Sequence, residues 1–460
     1  MTLLDIIALL IGLSALGGYL NHRFLGLPHT IGLVVVALAA SGVILAIDHL
    51  NPTLEIAAQV AGTLKEVDFQ KALMEGMLSA LLFAGAAHVD LTELAERKWA
   101  IGLMATIGVL ISTFIVGGVI WAVASGLGFE MPFIWALVFG ALISPTDPVA
   151  VLSILKTVKI PRLLQAKIAG ESLLNDGVGV VVFSILVVIA TGSGGHGGEV
   201  TALAIGKLFV WEALGGVVLG LIGGLVAYGM MRTLEERYIE VMITIALVTG
   251  VYAIALKLHV SGPIAVVVAG LLIGNHGARF AMGEETRQHV FQFWELTDEI
   301  LNSVLFLLIG LEVLVISFSP QHSGLALIAI PVVLVARLIA VAVPISLLRL
   351  RTEFEAGAVR ILTWAGLRGG ISVALALSLP NTEFKPVILT MTYAVVVFSI
   401  LVQGLTVERL VLAVVRDARD APINPMAATE DEMQAAAEAT TPNLSAGGGK
   451  RAKRRRRKQS

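Results

Sequence analysis

The 460-residue chain contains no cysteine. That absence excludes disulfides, thiolate metal centres and a thiol nucleophile. Charge is scarce as well: 14% of residues are Asp, Glu, Lys or Arg, where a soluble protein carries about 25%. Aromatic residues make up only 6%, so aromatic cages and stacking platforms have little to be built from. What fills the chain instead is aliphatic. It is 57% hydrophobic with a mean hydropathy of +0.88, and the apolar residues come in blocks of the ~20 residues that span a bilayer. The composition describes an all-α polytopic membrane protein.

Candidate spans lie near residues 3–20, 29–47, 70–88, 99–124, 132–152, 167–191, 204–231, 239–257, 261–275, 294–317, 324–348, 357–380 and 386–415, about thirteen in all. No basic segment precedes "LLDIIALLIGLSALGGYL", and Asp5 lies near its start. It reads as a retained span rather than a cleaved signal peptide. One set of connections holds Arg23, Arg97, Lys98, Lys156, Lys159, Arg162, Lys167, Arg232, Arg237, Arg279, Arg287, Arg349, Arg351 and Arg360. The alternate set holds only Lys65, Lys71, Lys207, Lys257 and Lys385. The positive-inside rule makes the rich set cytoplasmic, with the N-terminus outside and the C-terminus inside a cell (plasma or inner) membrane.

Residues 1–415 therefore read as a membrane domain and 416–460 as a cytoplasmic tail. The tail lacks a packable apolar face and ends in "KRAKRRRRK". Such a run is expected to be solvated, with anionic lipid head groups as its alternative partner. No nucleic-acid partner and no cofactor is expected.

The informative residues are the charges inside these spans. An ionised side chain at mid-bilayer costs roughly 2.5–3.5 kcal/mol on insertion scales, so it faces a partner or a cavity. Asp147 lies in "GALISPTDPVAVLSIL", Glu171 and Asp176 in "GESLLNDGVGVVVF", and Asp298, Glu299 and Glu312 in the tenth span. Arg337 interrupts "IPVVLVARLIAVAVPI", and Arg368 interrupts "LTWAGLRGGISVALALSL". A set of this size implies a polar pathway through the bundle.

Pro145 and Pro148 flank Thr146 and Asp147, and proline breaks a helix by removing a donor and clashing with the preceding turn. Freed backbone groups at membrane depth persist only where they line a cavity or lie buried in protein. "GLRGG" is a second interruption, in span twelve, seven spans after the first. A pair of interrupted helices in corresponding halves points to a transporter's midplane site. The glycines of "GGVVLGLIGGLVAYG" in span seven fit close helix packing better. Ser172 and Asp176 share one helix face, and Glu171 and Asn175 the next. Asp176, Asp147, Ser172 and Thr146 are the oxygen donors a monovalent cation such as Na⁺ wants. A carboxylate holding either a proton or a cation, never both, is an exchange device.

At "GALISPTDPVAV", "GESLLNDGVGVVVF", "LFLLIGLEV" and "TWAGLRGGISVALAL", in that order, the chain resembles the monovalent cation:proton antiporter-1 family, the sodium/proton exchangers. The resemblance covers about residues 5–415. It implies thirteen spans in an inverted repeat, with the interrupted spans 5 and 12 crossing, and a homodimer. It makes Asp176 the carboxylate that binds cation and proton in competition, with Asn175 as its motif partner. Thr146, Asp147 and Ser172 fall on positions that help form the cation site. Glu171 and Arg337 match a structural ion pair, and Arg368 matches the arginine of the second interrupted helix. It further implies electroneutral one-for-one exchange of Na⁺ (or Li⁺ or K⁺) for H⁺, because relatives with Asn-Asp at this pair are generally electroneutral. The chain departs from the pattern at Ala84, where some relatives carry an acid in span three; Asp90 is not expected to replace it.

Three other readings compete. An aspartyl protease would use Asp147 and Asp176 as a dyad, but the expected "GxGD" setting is absent. A cation channel would line its pore with acids, but no repeated filter-like loop is visible. A carrier of organic anions would need a further basic pocket.

Overall fold

The computed structural model describes residues 3–66, 76–96, 98–147, 151, 162–192, 202–314, 320–349 and 357–420. Pro148, Lys156, Lys159, most of the glycine-rich connection after Thr191 and the basic C-terminal run lie outside them. The chain divides into two units, Met1–Leu412 and Ala413–Ser460. The first is the membrane body; of the second, only the end of a helix is among the described residues.

The described residues form helices and no strand. A backbone in lipid must satisfy its own polar groups, and a helix does this within one segment. The principal helices are α1 (Leu3–Leu20), α2 (His29–Leu50), α3 (Leu78–Ala87), α4 (Lys98–Gly126), α5 (Phe133–Ile143), α6 (Arg162–Thr191) and α7 (Ala202–Met231). They continue with α8 (Arg237–Leu258), α9 (Gly262–Phe280), α10 (Glu284–Leu311), α11 (Pro320–Leu348), α12 (Ala358–Trp364), α13 (Gly370–Leu377) and α14 (Lys385–Phe398). Nine helices among the described residues are long and apolar enough to cross a membrane, and α3 and α5 are shorter apolar helices. The protein is a multi-pass membrane protein.

Span twelve, expected at 357–380 with an interruption at "GLRGG", is two short helices, α12 and α13, separated by residues 365–369. The tenth helix begins at Glu284, ten residues before the expected start at 294. Its first ten residues, "EETRQHVFQF", are amphipathic, so an apolar window starts only at Trp294.

Small residues set how closely the helices approach. A side chain at Gly140 of α5 would run into the Thr113 carbonyl of α4, and one at Gly117 of α4 would meet Leu137 and the Ala136 carbonyl of α5. On α7, Gly216 and Gly220 lie against the Ser261 and Ala265 carbonyls at the start of α9. Ser261 caps α9 by accepting from the Ile264 N–H at 3.3 Å. A second packing centre surrounds α3. Phe83 stacks at 4.7 Å on Trp294 of α10, whose indole donates to the Thr244 hydroxyl of α8 at 3.0 Å.

One ion pair ties three helices together. Arg337, mid-way along α11, donates to the Glu171 carboxylate of α6 and, at 3.0 Å, to the Leu362 carbonyl of α12. Both side chains are buried. Gly366 makes room for this arrangement, because a side chain there would strike the Arg337 guanidinium. Removing one partner of a buried pair leaves an uncompensated charge and costs roughly 3–5 kcal/mol, whereas removing both is often far milder. Arg337→Ala should therefore lower the melting temperature and yield of purified protein sharply, and adding Glu171→Ala should recover a large part of the loss. Thermal melts of the two single variants and the double variant in one detergent measure this; strictly additive damage would contradict it.

Candidate functional site

The site forms where two helices stop short. α5 ends at Ile143, and residues 144–147 continue without helical hydrogen bonding. Opposite them is the break between α12 and α13. Each break frees backbone groups that the interior cannot leave bare, and several of them find protein partners across the site. The Asp147 N–H donates to the Leu367 carbonyl at 2.8 Å. The Thr146 N–H donates to Asn175 Oδ1 at 3.2 Å. Arg368 extends its guanidinium to the carbonyls of Ser144 and Pro145, the latter at 2.7 Å. The Arg368 N–H in turn donates to Ser399 Oγ at 2.8 Å.

Ser399 belongs to a π-helical turn, Ser399–Gln403, that follows α14. Its hydroxyl donates to Gln403 Oε1 at 2.8 Å, and the Gln403 amide donates to the Trp364 carbonyl at 3.2 Å. This turn thus receives one free end of α12 and steadies the interruption. π turns inside helices are frequent at functional sites. Sequence reading passed over Ser399 and Gln403. Their signal was faint: two polar residues four apart in an otherwise apolar run.

The carboxylates sit beside this cross-bracing. Thr146, Ser172, Asn175, Asp176, Glu171, Arg337 and Arg368 are all buried, and Asp147 is half-buried. The Thr146 hydroxyl lies 2.9 Å from Ser172 Oγ and accepts from the Asn175 amide at 2.8 Å. Asn175 therefore clamps the broken strand of chain at two points, its Oδ1 on the Thr146 N–H and its Nδ2 on the Thr146 hydroxyl. One Asp176 oxygen, Oδ1, is buried with no hydrogen-bond partner. Gly369 admits Asp147, whose carboxylate occupies the space a side chain at 369 would need.

A cleft of about 320 Å³ leads to this cluster and is lined by both Asp147 and Asp176. Its outer lining includes the exposed residues His29, His88, Glu295 and Glu299. Ala84 is buried on the cleft wall, so the position where an acid was sought presents a methyl group. Asp90 does not replace it. Its carboxylate accepts from the Thr92 N–H at 2.7 Å and caps the short helix Leu91–Glu96. Of the other intramembrane acids, Asp298 and Glu299 line the cleft, whereas Glu312 does not. The structure thus brings all eight sequence-identified site residues to one place. It divides them into backbone clamps (Asn175, Arg368), an ion pair (Glu171, Arg337), a hydroxyl pair (Thr146, Ser172) and two carboxylates on a solvent-connected cleft.

Comparison with known proteins assigns the chain to a family. The family model for the transmembrane sodium/hydrogen exchanger matches residues 11–413. The Na(+)/H(+) antiporter NhaP of Pseudomonas aeruginosa is 50% identical over 414 residues, covering 89% of this chain and 96% of that protein. The Na(+)/H(+) antiporter NhaH of Halobacillus aidingensis is 35% identical over 382 residues, covering 82% and 90%. In fold, the sodium proton antiporter MjNhaP1 of Methanocaldococcus jannaschii superposes with a TM-score of 0.67 at 18% identity, over 89% of this chain and 98% of that one. An interrupted helix pair braced through Asp147, Leu367 and Arg368, with two carboxylates on a cleft beside it, is carried by a chain that belongs to the transmembrane sodium/hydrogen exchanger family, a family of transporters and not of enzymes.

Proposed function

We propose that the protein is a secondary antiporter that exchanges Na⁺ for H⁺ across a cell membrane, with Asp176 as the carboxylate that holds either cargo. The observation that carries this reading is a charge imbalance. The buried cluster contains three carboxylates, Asp147, Glu171 and Asp176, and two guanidiniums, Arg337 and Arg368. Fully ionised, it is one positive charge short. One proton or one monovalent cation supplies it. Glu171 is spent on Arg337 and Arg368 on backbone carbonyls, which leaves the aspartates facing the cleft to take the cargo. Asp176 offers a buried, unpartnered oxygen for it.

Coupling follows from desolvation. An uncompensated charge within a bilayer costs several kcal/mol, so an empty, ionised site resists being closed off from water. Either cargo removes that penalty. The protein then alternates access in only two forms, cation-bound or protonated, and each turnover trades one for the other. Thr146 and Ser172 hydroxyls and Asp147 complete an oxygen shell suited to Na⁺, with Li⁺ and K⁺ as further candidates. His29 and His88 of the outer cleft lie at helix ends whose connections carry Arg23, Arg97 and Lys98, which supports a cytoplasm-facing state with the N-terminus outside and the C-terminus inside. Thirteen spans in an inverted repeat, crossing of the two interrupted helices, a homodimer and a solvated tail after residue 415, with anionic lipid as its alternative partner, complete the proposed arrangement. The antiporter names of the relatives support exchange over an aspartyl protease or a channel.

Asp176→Asn keeps the shape but neither releases a proton nor offers a full charge. It should abolish Na⁺-driven dequenching of a ΔpH dye in everted vesicles while the purified variant melts like the parent. Near-normal exchange in that variant would remove Asp176 from the centre of the mechanism.

A single free charge also fixes the stoichiometry at one for one, moving no net charge. In proteoliposomes with equal pH on both sides, a potential imposed with valinomycin should drive no ²²Na⁺ uptake. Uptake that follows the sign of the potential would mean that unequal charges are exchanged.

A further inference from the structure

The cleft contains polar groups that the exchange site does not use. Along α10, Glu295, Asp298, Glu299 and Asn302 fall at helical spacing on one stripe, and all four line the cleft. Burial increases along the stripe: Glu295 and Glu299 are exposed, Asp298 is half-buried, and Asn302 is 2% exposed. The next cleft residue on this face is Leu305, which fills the space a side chain at Gly370 would need. The polar stripe therefore ends one turn short of the interruption beside Asp147. Across from it, α2 begins at His29, whose ring nitrogen lies 2.8 Å from Ser303 Oγ of α10. This contact holds Thr30, also 2% exposed, on the cleft beside α10.

Asn302 and Thr30 share a further property: Asn302 Nδ2 and Thr30 Oγ1 are buried without a hydrogen-bond partner. A buried polar group left bare is costly; on this one cavity Thr30 offers a hydroxyl oxygen and Asn302 an amide donor, which together call for a polar, hydrated occupant. Leu81, Leu82, Ala84 and Leu173 on the facing wall offer no polar side chain. With alanine at 84 that position adds no charge, and among the described residues lining the cleft the carboxylates besides Asp147 and Asp176 are those of α10.

We propose that Thr30, Asp298 and Asn302 form a second, weaker site for a monovalent cation, a staging site that a partly hydrated Na⁺ occupies before it reaches Asp147 and Asp176. The inference rests on the exchange reading above. A hydroxyl, an amide carbonyl and one carboxylate supply oxygen ligands, while the Asn302 amide group is free to donate to a neighbouring carboxylate or to the ion's water. Among the described residues no three His, Asp or Glu side chains converge as a metal-ion cluster; this site is built mainly from neutral oxygens, as a loosely held monovalent ion needs. The N-terminal end of α2 adds a partial positive charge beside Thr30. That weakens the site, and a site on a conduction path must bind well enough to fill and weakly enough to empty.

The test is equilibrium binding of ²²Na⁺ to purified Asp176→Asn protein, in which the exchange site is disabled. Residual saturable binding should persist, be lost with Asn302→Leu, weaken with Thr30→Val and tighten with Asn302→Asp, which adds a charge at the same point. In transport by otherwise wild-type protein, Asn302→Leu should raise the KM for Na⁺ about tenfold, the equivalent of one lost ligand, with kcat retained. The melting temperature of Asn302→Leu should match or exceed the parent's, because a bare buried amide is removed. Wild-type exchange combined with no saturable binding in Asp176→Asn would overturn the staging site and leave the exchange reading standing. Residual binding indifferent to Asn302 and Thr30 would also overturn it. Absence of Na⁺/H⁺ exchange in the wild type would instead bring down the exchange reading.

Discussion

The cost of taking charge out of water governs this protein. In a chain with so few charged residues, five ionisable side chains occupy one buried cluster, and their partners decide most of the architecture around it. Glu171 and Arg337 satisfy each other, and in doing so pin α6, α11 and α12. Arg368 is matched by two carbonyls that the break after α5 sets free. These backbone carbonyls carry only partial charge, so the guanidinium keeps most of its field for the aspartates nearby. The broken helices are thereby part of the electrostatics as well as of the geometry. An unbroken α5 would bond its own carbonyls internally and leave Arg368 with nothing to hold.

The same constraint explains why the interruptions are so fully braced. A break in a membrane helix exposes donors and acceptors where no solvent can serve them. Here Asp147 N–H, Thr146 N–H and the carbonyls of Ser144, Pro145 and Leu367 each receive a protein partner. Against that background, the unpartnered oxygen of Asp176 is informative. The fold gives these backbone groups partners, yet leaves one carboxylate oxygen of Asp176 buried without one beside the cleft. A structural aspartate would have been drawn into the network as Asn175 was. The neutral amide does the bracing because it can donate and accept at once; a carboxylate in its place could accept from the Thr146 N–H but could not donate to the Thr146 hydroxyl.

Much of this was legible in the sequence, and the reasons are physical. Long apolar runs, isolated internal charges and "SPTDP" each violate what a plain membrane helix tolerates, so each announces itself. Thr146, Asp147, Glu171, Asp176, Arg337 and Arg368 were found by that route, and Ser172 and Asn175 by sharing helix faces with the acids and by the family resemblance. What was not legible was the assignment of partners. Asn175 as a clamp on Thr146 depends on how α6 rotates against a break 29 residues earlier in the chain. The turn at Ser399 and Gln403 is two modest polar residues until the free end of α12 is placed against it. The start of α10 was misplaced by ten residues because residues 284–293 are polar and amphipathic, which an apolar window discards.

Glycine shows most clearly how one residue type serves two ends. On α7, Gly216 and Gly220 face backbone carbonyls of α9, and their function is exhausted by close approach. In "GLRGG" each glycine faces something different: Gly366 the Arg337 guanidinium, Gly369 the Asp147 carboxylate, and Gly370 the Leu305 side chain. Two of these three neighbours are charged groups of the buried cluster, and the third closes the polar stripe of α10. A side chain at 366 would displace the ion pair, and one at 369 would displace the Asp147 carboxylate. The glycines around Arg368 thus do more than permit a break in the helix. They are the moulds into which Arg337, Asp147 and Leu305 are set, so the shape of the interruption and the position of two charged groups beside it are determined by the same few atoms.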